Sequence, residues 1–107
     1  MVKNNSTYLI LLYDNTFDGL LSAIFDVYRL KLSTFDIVPT TQSNQSLFKP
    51  TLTISTNKAK ANRIKIGLKN KIKQDMLPFL AQTFHQSADK EKDIYQFIKK
   101  AFDLPID

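Results

Sequence analysis

Between Asn57 and Lys73 the chain places seven basic residues, Lys58, Lys60, Arg63, Lys65, Lys69, Lys71 and Lys73, with no acid among them. Side chains of this kind bind phosphate backbones and displace counterions, with an affinity that falls steeply in salt. The same array can also serve simply to solvate a surface helix. No aromatic residue interleaves the cations, which argues against a platform on which single-stranded bases would stack. Any contact with nucleic acid here is expected to be electrostatic and weakly sequence-specific.

Other residue types narrow the chemistry. Asp14 closes an apolar run and precedes a helical pattern, the position where α/β sheets tend to hold ligands. Yet Asp14 and Asp18 also suit a turn and a first helical turn, and neither they nor Asp26 and Asp36 have a nameable partner base. His85 is the only histidine and has no metal-ligand spacing around it, which fits a surface or C-capping role. Gly19 and Gly67 are isolated and form no phosphate loop. Without cysteine, the chain can form no disulfide, Cys-based zinc site or iron–sulfur cluster. No catalytic, metal-binding or cofactor-binding residue is assigned, and no cofactor is implied.

These residues need elements to position them. Tyr8 to Tyr13 is short and almost wholly apolar, and Asp14-Asn15 bounds it, so it reads as a strand buried on both faces. Thr16 is placed to cap a helix, with Asp18 near the positive end of its dipole. Phe17, Leu20, Leu21, Ile24, Phe25 and Tyr28 recur at helical spacing. From Ser33 to Pro50 the chain is rich in Thr, Ser, Gln and Asn, which predicts a polar loop anchored by Leu47 and Phe48. Thr51 to Thr56 alternates, predicting a half-buried strand that shows Leu52 and Ile54 to the core.

Asn57 is the expected cap of the basic helix, whose inward stripe is Ala61, Ile64, Leu68 and Ile72. Lys58, Lys65, Lys69 and Lys73 fall along one flank of it and Lys60, Arg63 and Lys71 along the other. Ile66 points away from the stripe, so it is covered by another element or offered to a partner. A third helix is expected after Asp75, with Pro78 in its first turn. A fourth, capped by Ser87 and ended by Pro105, buries Ile94, Phe97, Ile98, Ala101 and Phe102. The expected fold is α+β, a small two-stranded β-α-β sheet covered by about four helices, in one domain spanning residues 1–107.

The run Leu11-Leu-Tyr-Asp-Asn-Thr-Phe-Asp-Gly-Leu-Leu-Ser-Ala-Ile-Phe-Asp-Val-Tyr28 resembles the start of a bacterial family of probable DNA metabolism proteins. Its members open with a strand, Tyr-Asp-Gly-Ser/Thr-Phe-Glu/Asp-Gly-Leu-Leu and a helix ending in Phe-Glu-Ala-Tyr. The resemblance continues through Ser46-Leu47-Phe48, Thr51 to Thr56, Ala61 to Lys69 and Tyr95 to Phe102. Asn15 stands where the family has Gly, a tolerable change because Asn enters left-handed conformations readily. Family members extend past the equivalent of Asp107, so the chain matches the N-terminal part of a longer domain, as a truncated form or a naturally short relative. Such proteins are usually encoded beside a radical-SAM protein of DNA modification or repair, and some are fused to a uracil-DNA-glycosylase-like domain. The resemblance therefore implies a DNA metabolism or repair setting but no reaction.

An apolar share of 43% with eight Phe residues supports a packed core. The formal charge of +5 comes from one segment. Residues 1–56 balance four basic residues against four acids, and residues 74–107 set four against six. The longest apolar run is too short to span a bilayer, so the expectation is a cytoplasmic protein without membrane contact. Three functions stay open. The first is a non-catalytic module that binds DNA or docks on the radical-SAM protein; the second is a scaffold without nucleic-acid contact, using Phe48 and Ile66. The third is part of an enzyme whose site lies in the family's C-terminal half.

Overall fold

The computed structural model describes residues 8–41 and 49–105. The expected Leu47-Phe48 anchor, and with it the Phe48 partner contact, lies outside the described residues. Strand β1 (Leu9–Tyr13) leads through helix α1 (Phe17–Arg29) to β2 (Phe35–Pro39), and β3 (Thr51–Thr53) follows. Helices α2 (Lys58–Ile72), α3 (Leu77–Gln86) and α4 (Lys90–Phe102) complete the order. The α+β class and the four helices agree with the sequence reading. Among the described residues, however, the sheet has three strands, in the order β2-β1-β3, where two were expected. The added strand is β2, which lies inside the stretch read as an irregular polar loop.

Both pairings of β1 are parallel, with Leu9 opposite Phe35 and Tyr13 opposite Pro39 on one side, and Leu11 opposite Leu52 on the other. Parallel sheets need cover on their faces, and Ile10 to Tyr13 are indeed all buried. Leu11 and Tyr13 share a face with Ile37 and Ile54, and there they join side chains from all four helices in one core. Ile10 and Leu12 belong to the opposite face, with Asp36, Thr51 and Thr53 on the flanking strands.

The helix ends follow from local chemistry. The Thr16 side chain accepts from the Gly19 amide, as a cap should. Asn57 accepts from the Lys60 amide at the start of α2. The Asp75 carboxylate takes the Leu77 amide at 3.0 Å where α3 begins. Helix α4 departs from expectation. Its cap position is Asp89, with no side-chain cap bond, while Ser87 receives the Asp89 amide at 3.2 Å and donates to the Asp93 carboxylate at 2.6 Å. Ser87 thus organises the turn ahead of the helix.

Helix α1 is tied to the start of α2 through Ser22, a fully buried hydroxyl. Its Oγ accepts from the Asn57 amide at 3.0 Å and lies within donating distance of the carbonyls of Asp18, at 2.8 Å, and Asn57, at 3.1 Å. A buried hydroxyl satisfied in this way fixes where the basic helix starts. Gly67 sets the far end of α2: a Cβ there would stand 3.3 Å from the Phe102 ring of α4.

Candidate nucleic-acid interface

Ala61, Ile64 and Leu68 bury one side of α2, with Ile72 partly covered beside them. At about 100° per residue, Lys58, Asn62, Arg63, Ile66, Lys69, Asn70 and Lys73 spread over roughly 140° of the opposite side. All seven are exposed. The helix closes on Lys73, whose φ of 64° is left-handed. The outward surface therefore holds four cations and two amides around Ile66, which is 60% exposed.

The remaining cations of α2 have partners within the chain. Lys60 Nζ lies 2.9 Å from Asp26 Oδ1, and Arg29 Nε reaches the same oxygen at 2.9 Å. Asp26 is only 4% exposed, and a carboxylate at that depth requires paired charge. Lys65 Nζ lies 3.0 Å from Asp18 Oδ1. Lys71 donates to the Leu104 carbonyl at 2.5 Å. The side chains of Lys58, Lys69 and Lys73 meet no acid among the described residues, and the Arg63 guanidinium sits 5.8 Å from the Phe25 ring centroid. The two flanks expected from sequence are thus divided differently: Lys60, Lys65 and Lys71 are already engaged within the chain, and Lys58, Arg63, Lys69 and Lys73 face solvent.

Asp14 stands at the carboxyl end of β1. It accepts from the Thr16 amide at 3.1 Å, from Thr16 Oγ1 at 2.6 Å and from Thr56 Oγ1 at 2.6 Å. The Thr16 hydroxyl and then the Thr56 hydroxyl hold its carboxyl below the usual carboxylate range. That direction suits a fixed anion and is opposite to what a general acid needs. Neither of the two described cavities is lined by Asp14 or Asn15. Asn15 adopts φ 64°, as expected from its left-handed tolerance, and its Oδ1 accepts from Lys90 Nζ at 2.6 Å. Beside it the Tyr13 hydroxyl donates to Glu91 Oε2 at 2.6 Å. Burial first, and then this bond, push the Tyr13 phenol upward.

His85 is exposed in the last turn of α3, 5.6 Å from the Phe84 ring. Among the described residues no group of three or more His, Cys, Asp or Glu side chains could hold a metal ion, and no helix is long and apolar enough to cross a membrane. Asn62 and Asn70, which belong to the outward surface, were not singled out by the sequence reading. Their signal was positional, since they fall opposite the apolar stripe among the free cations. No family model matches the chain, and neither does any curated protein or solved structure.

Proposed function

We propose that the chain is a non-catalytic binding module of DNA metabolism or repair that holds a nucleic-acid phosphate backbone against the outward side of α2. The observation that carries this reading is the sorting of charge on that helix. Lys58, Arg63, Lys69 and Lys73 are exposed beside the amides Asn62 and Asn70, and the acids of α1 are spent on Lys60 and Lys65. Lys, Arg and Asn donors facing outward, none of them in an ion pair among the described residues, suit phosphate oxygens and carry little base information. The resemblance of residues 11–28 to the DNA metabolism family supports the same setting, and makes a radical-SAM protein of DNA modification or repair the expected partner.

The test is binding of duplex and single-stranded DNA across a salt series. The reading expects log K to fall against log salt with a slope of about −0.9 per phosphate contacted on duplex DNA. Changing Lys58, Arg63, Lys69 and Lys73 together to Gln should abolish most of the binding. Lys65→Gln should leave it nearly intact. Equal loss from both variants, or no salt-dependent binding by the unaltered protein, would remove the proposal.

Ile66 favours a second reading, docking of a protein partner. It is 60% exposed at the centre of the same surface, beside a cavity of about 160 Å³ lined also by Lys69, Asp75 and Met76. Ile66→Asp should then weaken capture of the radical-SAM protein, whereas Ile66→Ala should not alter the salt slope for DNA.

A further inference from the structure

Strand β2 is an edge of the sheet, paired only with β1 among the described strands. In a parallel ladder alternate residues turn their backbone groups toward the neighbour. The Leu9 amide bonds to the Thr34 carbonyl at 3.3 Å, which fixes that alternation. The backbone groups of Phe35 and Ile37 therefore point outward, away from β1, and meet no partner among the described residues. Pro39 has no N–H to offer and ends the open stretch.

A groove of about 430 Å³ runs beside this edge, between β2 and α4. Phe35 and Ile37 line it from the helix-covered face and Asp36 from the other, so it opens along the strand's edge and not onto one face. Tyr95 adds an apolar wall, its ring packed 5.1 Å from that of Phe35. Among the described residues the charged lining is Asp36, Asp89 and Glu91 against Lys92. Local acidity of this kind stands out in a chain of net charge +5.

We propose that this groove receives an extended, basic peptide segment of a partner protein, which adds to β2 as a further strand. Backbone bonds to Phe35 and Ile37 supply the affinity, and the acidic rim selects Lys or Arg on alternate residues of the incoming strand. A second copy of the chain is a poor occupant. Two-fold pairing of β2 with itself would bring the two acidic rims together, and such like-charge contacts are unfavourable. This site is separate from the outward side of α2 and does not depend on the nucleic-acid reading.

The test uses the whole chain and a fluorescein-labelled hexapeptide of alternating Lys and Val. Its controls are a Glu/Val peptide and a Lys/Val peptide N-methylated at alternate amides. The Lys/Val peptide should bind and slow amide hydrogen exchange at Phe35 and Ile37. N-methylation of the strand-facing amides, or Asp89→Lys in the protein, should weaken binding about tenfold or more, and the Gln substitutions on α2 should not. No binding, equal binding of the methylated or the Glu/Val peptide, or unchanged exchange at Phe35 and Ile37 would each overturn the proposal. So would exchange at these amides that slows with protein concentration alone, because the edge would then be covered by a second copy.

Discussion

Thr56 Oγ1 donates a 2.6 Å hydrogen bond to Asp14 Oδ2 and so fastens the exit of β3 to the exit of β1. The carboxylate also takes the amide and the hydroxyl of Thr16, which in turn caps α1 through Gly19. Two strand ends and a helix start meet at one side chain. Gly19 completes the arrangement by leaving room for it. A Cβ at Gly19 would lie 2.2 Å from Asp14 Oδ1 and about 3 Å from the hydroxyls of Thr16 and Thr56.

Gly19→Ala should therefore destabilise the fold by roughly 1–3 kcal/mol, although alanine ordinarily favours a helix by about 1 kcal/mol over glycine. The Asp14 carboxylate could rotate away, but only by giving up its bonds to both threonines. In an Asp14→Ala background the same change should cost far less or become stabilising. A double-mutant cycle from urea denaturation measures this coupling, and additive effects would refute it.

Asp14 also sets an acid dependence. Its folded pKa lies below its unfolded value, so its contribution is fully present above the ordinary carboxylate value near ~3.9 and is lost as pH falls through the folded value. Asp14→Asn has no such contribution to lose. The urea midpoints of the two proteins should differ most at neutral pH and converge below about pH 4. A constant gap down to pH 2 would count against this account.

The lysines of α2 should separate by stability as well as by binding. Lys60→Ala leaves the buried Asp26 with Arg29 as its one cation among the described residues, at a cost of about 1–3 kcal/mol. Lys69→Ala removes an exposed charge that forms no ion pair among the described residues, and should stay within about 0.5 kcal/mol of the unaltered protein. Thermal and urea unfolding followed by circular dichroism would show the difference. Equal effects would contradict the division between inward and outward cations.

At the alkaline end, burial and then Tyr95 and Asp103 push the Tyr28 phenol up to about 12. A raised pKa means that the contribution is complete below the unfolded value near ~10 and disappears as pH climbs through the folded one. Tyr28→Phe should flatten the fall in stability between about pH 10 and 12. Absorbance at 295 nm, which reports phenolate, gives an independent view of the same titration. Ionisation of Tyr28 near its ordinary value would sink the prediction.

Much of the fold was legible because its signals are local. The apolar run of β1, the Thr16 and Asn57 caps and the 3.6-residue stripe of α2 each state their element within a few neighbours. Strand β2 was hidden by its own ends: Phe35-Asp-Ile-Val-Pro39 is five residues set among Ser and Thr, with a proline inside. Proline demotes a run to an edge strand or to none, and here the edge is the answer. In the candidate interface the count of cations was plain, but their availability was not. Lys60 and Asp26 are 34 residues apart, and only the packing of α2 on α1 shows which lysines are already engaged.

The central place of β1 has a consequence for biosynthesis. It is translated before both of its neighbours, and its second partner begins only at Thr51. Until β3 has left the ribosome, Leu9–Tyr13 is a nascent apolar segment with at least one unpaired side. Such long-range parallel pairing is slow and leaves intermediates prone to aggregate. Maturation of this chain should therefore depend more on how quickly residues 51–53 become available than on how fast any helix winds. A synonymous-codon pause placed before Thr51 would expose that dependence as lost soluble yield.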